Sequence, residues 1–178
     1  ELTPAQRGYL DALAEAGAFM DFVSGREARA CIEPDLLRRG TAVLESLGLW
    51  EQARRSLSTL MVHEDLTEVE REAVVLHLGR IYLETGRLQD GLETVDYYHR
   101  SLETHDLADE ADLLEAQLVL ARGDTGDAAR ALALATALAR ASADDPTTRM
   151  ALRVRGRAAI RLEDWDVCAE SFARARQG

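Results

Sequence analysis

Small residues return along this chain at a fixed interval. Thr41, Gly79, Ala116 and Gly156 are spaced 38, 37 and 40 residues apart, and twelve residues after each comes another small one: Ala53, Gly91, Ala128 and Cys168. Three residues before each of those lie Trp50, Leu88, Thr125 and Trp165, so both tryptophans share one phase, and packing in a core is the role expected of them. Between each pair of small residues a turn signal interrupts the pattern, at Gly48, Gly86, Gly123 and Glu163–Asp164. On either side of these turns apolar residues recur three and four apart, as in Val75, Leu78 and Tyr82 before Gly86 and Leu88, Val95 and Tyr98 after it. That period is helical, so each unit reads as two amphipathic helices joined in a hairpin, with Gly79 and Gly91 allowing close approach inside one of them. One hairpin cannot bury its own apolar faces, so four in succession must stack.

Composition agrees with an all-α chain. Prolines number only three among 178 residues, and Ala, Leu, Arg and Glu, which lose little freedom in a helix, are abundant. Hydrophobic residues at 47% and charged ones at 30% suit a globular protein and not a disordered one. The net charge of −11 repels a phosphate backbone and argues against nucleic-acid binding. The longest apolar stretch, Ala131 to Ala139, is too short to span a bilayer. Cys31 and Cys168 sit far apart within helical patterns, as two reduced, buried thiols would, and a cytoplasmic location is expected. Every basic residue other than histidine is arginine, for which codon bias in a GC-rich genome accounts, and a site that needs lysine or asparagine is excluded.

The run Val75–Leu78–Gly79–Tyr82 with Gly86, Gly91, Val95 and Tyr98 resembles the tetratricopeptide repeat, a helical hairpin usually written Trp-x2-Leu-Gly-x2-Tyr followed by Ala and an aromatic. The resemblance covers residues 72–104 best, then 112–141 and 149–178, with 34–62 weaker and 1–33 outside it. The units here run 37 to 40 residues instead of 34, Val75 stands where the family has tryptophan, and the closing proline is absent or displaced to Pro146. The resemblance implies a right-handed α-solenoid with four repeats at about 34–67, 68–105, 106–145 and 146–178. Residues 1–33 are expected to form a helical cap begun at Thr3–Pro4, with a joint near Cys31–Pro34. At the other end Val167 and Phe172 are expected to be partly exposed, so that either a longer protein or a second copy covers them and self-association follows.

No catalytic constellation stands out, and no enzyme activity, cofactor or metal is expected. A phosphate loop of the Walker type needs a lysine the chain lacks, and the glycine turns do not follow strands. None of His63, His77, His99 and His105 forms the Glu-flanked pair of a metalloprotease, and six residues between His99 and His105 is a weak metal spacing. The acids at Glu64–Asp65, Glu68, Glu70 and Glu72, and at Asp106, Asp109, Glu110 and Asp112, fall where helices should start, and there they oppose the helix dipole.

One basic feature points to recognition. Arg149, Arg153, Arg157 and Arg161 follow one another four residues apart, forming a stripe on the first helix of the last unit, off its apolar face of Leu152, Gly156 and Ala159. In the tetratricopeptide family the neighbouring face lines a concave groove that holds peptides. On the same face the resemblance places Arg38, Ala42 and Glu45 of the first unit, Leu76, Arg80 and Leu83 of the second, and Leu113, Gln117 and Leu120 or Ala121 of the third. The partner-binding residues expected are therefore Arg80, Gln117, Arg149, Arg153, Arg157 and Arg161, and guanidinium groups in a row suit an acidic protein or peptide segment. The chaperone-tail clamp found in some members uses lysines and asparagines, so it does not carry over. An alternative function is a regulatory domain that responds to a ligand or peptide within a larger transcriptional regulator or signalling ATPase.

Overall fold

The structure is a computed structural model, and it describes residues 34–140 and 145–177. The expected cap over residues 1–33, with Cys31, lies outside the described residues. Those described form eight α-helices and no strand: α1 Pro34–Ser46, α2 Trp50–Met61, α3 Glu68–Glu84, α4 Leu88–Ser101, α5 Ala108–Arg122, α6 Asp127–Leu138, α7 Pro146–Arg161 and α8 Trp165–Ala175. None of them is long and apolar enough to cross a membrane.

The four turns fall where the sequence places them, and they share one backbone device. Gly48, Gly86, Gly123 and Glu163 all take the left-handed conformation, with φ of 71°, 71°, 75° and 60°. After three of them the next N–H bonds back five residues, Leu49 to Leu44 O at 2.8 Å, Arg87 to Tyr82 O at 2.9 Å and Asp164 to Ala159 O at 2.9 Å. These bonds satisfy orphan carbonyls at the helix end and reverse the chain. The third turn differs. Gly123 makes the single bond to Val119 O at 3.2 Å, and Gly126, also left-handed, opens α6 two residues later than the other units would. The twelve-residue offset therefore loses its structural meaning here: Ala128 is only half-buried, and Ala131 and Ala135 carry the buried face.

Helix starts follow local chemistry. Thr67 and Glu70 form a reciprocal capping box, Glu70 accepting from Thr67 N at 3.0 Å and Glu70 N donating to Thr67 Oγ1 at 3.3 Å. The Asp145 carboxylate caps α7 by accepting from Thr148 N at 2.6 Å, and Pro146 supplies its first residue, so this proline opens a helix and closes none. Glu72, in contrast, is fully buried within the helix and does not sit at its exposed start.

Contacts divide the chain into two compact units, Glu1–Val74 and Val75–Gly178. In the first, α1 packs on α2 through Leu37, Leu44, Ala53, Leu57 and Leu60, with buried Thr41 Oγ1 donating to Ser56 Oγ at 2.8 Å. In the second, each of α4 to α8 packs on the next, and α5 also meets α7. Because α5 has α4, α6 and α7 around it, it is buried on several sides, at Ala111, Leu114, Ala116, Leu118, Val119 and Leu120. Gly79 and Gly91 are buried, yet their nearest neighbours lie beyond their own hairpin. A Cβ built on Gly79 would fall 2.6 Å from Leu114 Cδ2, and one on Gly91 would fall 2.6 Å from Leu118 Cδ2. The leucines of α5 thus press into hollows on the preceding hairpin. In the last unit the small residue serves its own hairpin, since a Cβ built on Gly156 would fall 2.8 Å from the ring of Phe172.

The shared phase of the tryptophans does not give them a shared burial. Trp50 is half-buried, whereas Trp165 at the start of α8 is 64% exposed. Phase fixes a face of the helix, and at Trp165 nothing among the described residues covers that face. Cys168 is half-buried, as are Val167 and Phe172, and the exposed large apolar groups of this hairpin are Met150, Ile160, Leu162 and Trp165.

Candidate functional site

The arginine stripe separates into groups with different tasks. Arg161 reaches back from the end of α7 and donates to the Leu120 carbonyl near the end of α5. A guanidinium there meets the negative end of the helix dipole and satisfies a terminal carbonyl. The same device recurs where Arg71 donates to Met61 O at 2.6 Å and Arg174 to Ala139 O at 2.9 Å. Arg161 is therefore a structural link between α5 and α7. Arg149 is half-buried near the start of α7. Arg153 and Arg157 are exposed, and neither makes an ion pair or hydrogen bond among the described residues.

What surrounds these two arginines follows from helical spacing. Met150, Arg153, Arg157 and Ile160 lie three, four and three residues apart, and all four are exposed. Met150 and Ile160, at 38% and 44% exposure, stand at either end of the cationic pair. Arg155 points the other way and is spent inside the hairpin, donating to Glu170 at 2.9 Å and Ser171 Oγ at 3.1 Å. That pairing holds the Glu170 carboxyl below its ordinary range. The outer face of α7 is thus a strip with apolar ends and, between them, two guanidinium groups without a partner among the described residues.

Other expected positions are placed differently. Arg80 is exposed but pairs with Glu110 at 3.3 Å, and Gln117 is half-buried. Leu76 and Leu120, expected on an open face, are buried and belong to the core, because helices packed on several neighbours leave only a narrow outer strip. In the first unit Arg38 bridges Asp35 at 2.8 Å and Glu70 at 2.6 Å. The Glu70 carboxyl, held first by the Thr67 backbone N–H, then by the Thr67 hydroxyl and Arg38, is pulled from 4.5 down to about 2.

A second grouping was not apparent from the sequence. His99 of α4 faces Asp112 of α5, Nε2 to Oδ1 at 3.6 Å, and Glu115 lies one helical turn further on. These residues are 13 and 16 positions from His99, across the 102–107 connection, and no local spacing marks them as neighbours. Beside them opens a cleft of about 280 Å³, bordered by Leu92, Asp96, His99, Glu115 and Arg130.

Comparison with protein-family models, with curated proteins and with solved structures returned no match to this chain.

Proposed function

We propose that the protein is a non-catalytic interaction module, a stacked helical-hairpin protein of tetratricopeptide type. In this reading the outer face of α7 receives an acidic segment of a protein partner. The observation that carries it is the pair Arg153 and Arg157, exposed and unpaired among the described residues, between Met150 and Ile160. Like charges four residues apart repel by a few tenths of a kcal/mol, so an unpaired pair is a small liability to the free chain that an acidic ligand relieves. Arginine and methionine are favoured at protein interfaces, the former for forked pairing with carboxylates and the latter for adaptable apolar contact. Nearest-neighbour packing of α4 to α8, with α5 also on α7, supports a solenoid, in which an extended segment would run along the first helices past Gln117 towards Arg80. The −11 charge does not oppose this, because the outer field is screened over roughly 10 Å at ordinary salt while the two guanidinium groups act at contact.

The test is binding of a labelled peptide that alternates glutamate with leucine, measured against the Arg153→Glu/Arg157→Glu variant at low and high salt. Binding that weakens with salt and disappears in the folded variant is expected. Equal binding by the two proteins would remove the reading.

A further inference from the structure

We propose that His99, Asp112 and Glu115 form a binding site for a divalent transition-metal ion of the Zn²⁺ class, joining α4 to α5. The three residues each offer a ligand atom, one imidazole nitrogen and two carboxylate oxygens, and these atoms lie within 4.8 Å of one another. Bonds of about 2.0–2.2 Å to a central zinc place ligand atoms roughly 3–3.6 Å apart, so the closest pair, His99 to Asp112 at 3.6 Å, is already near that separation. The Glu115 ligand atom lies within 4.8 Å of the other two and would have to move inward to complete the set. Asp112 and Glu115 stand three apart on one helix, which presents both carboxylates to the same side.

The surroundings favour added positive charge. The Asp112 carboxylate accepts no hydrogen bond among the described residues, and His99 is its sole ion-pair partner there. Glu115 is largely buried, its side chain 12% exposed, and Arg130 engages its Oε1, which leaves Oε2 for another partner. The other cations at the cleft are already paired, Arg100 with Asp96 at 2.9 Å and Arg122 with Asp127 at 2.7 Å, so they add little repulsion. Ring contacts set the His99 plane, with Tyr98 edge-on at 5.3 Å and His105 stacked at 6.5 Å. His105 is a packing neighbour in this arrangement and not a ligand. An imidazole in the set selects zinc, cobalt or nickel over magnesium and calcium, which take oxygen alone.

The experiment is calorimetric titration of the full chain with Zn²⁺, run alongside His99→Gln, Asp112→Asn and His105→Gln, each checked by circular dichroism. We expect one equivalent bound, affinity lowered at least about tenfold in each of the first two variants, and affinity unchanged in the third. Mg²⁺ in excess should not compete. A measurement on the unaltered protein guards against a variant that fails to fold: Co²⁺ should broaden the ring signals of His99 before those of His63 and His77. No stoichiometric binding, full affinity in both ligand variants, displacement by Mg²⁺, or broadening that spares His99 would each overturn the site.

Discussion

Gly91→Ala puts two opposed effects in competition at one atom. Alanine in a helix is favoured over glycine by about 1 kcal/mol, so at an open position the substitution stabilises. At Gly91 the new methyl would lie 2.6 and 3.1 Å from the two methyls of Leu118 and 3.3 Å from Tyr82 Cβ. Leu118 is fully buried and Tyr82 Cβ is fixed to its backbone, so the methyl is held between a packed side chain and a helix that cannot give. Overpacking of this kind costs about 1–3 kcal/mol, and the balance is a net loss of about 1 kcal/mol. In a chain of this length that lowers Tm by about 2–4 °C. A double-mutant cycle isolates the contact. Leu118→Ala alone should cost about 2–5 kcal/mol through its cavity, and the methyl that Gly91→Ala adds should fill part of that space. The double variant is then more stable than the sum of the singles by at least about 0.5 kcal/mol. A rise in Tm for Gly91→Ala, with additive singles, would mean that α5 does not press on this hairpin as described.

Further outcomes follow from the turns and the paired carboxylates. Glu163 holds the left-handed conformation that glycine supplies in the other three turns, at a penalty of about 1–2 kcal/mol, so Glu163→Gly should stabilise by roughly 0.5–1 kcal/mol in a urea melt once glycine's looser unfolded state is counted. Asp127 is buried and accepts from Arg122 and from Asp124 N, which holds its carboxyl low, and Asp127→Asn should cost about 1–3 kcal/mol by thermal melt. Glu70 is depressed as well, so what it contributes is fully present above pH 4.5 and lost as the pH falls towards about 2, and Glu70→Gln should flatten the acid limb of the stability curve in that window.

The repeat could be read from the sequence because its devices are local. A left-handed turn declares itself through glycine, and the common phase extended the inference to Glu163, where no glycine stands. The small residues Thr41, Gly79, Ala116 and Gly156 are all buried, as their phase requires. What escaped the sequence depends on residues far apart in it. The Leu120 carbonyl that occupies Arg161 is 41 residues away, and a backbone acceptor carries no side-chain signature. Trp165 matches Trp50 in phase yet lies open, because a repeat specifies a face and not its cover. The His99, Asp112 and Glu115 grouping required knowing that α4 and α5 run side by side.

In the proposed function the outer face of α7 receives an acidic partner segment. Backbone amide signals of isotope-labelled protein, followed while an acidic peptide is added, report on that face residue by residue. Salt-sensitive shifts concentrated at Met150, Arg153, Arg157 and Ile160 are expected, with weaker ones at Gln117. Shifts confined to other helices, or none while the peptide is demonstrably bound, would contradict it.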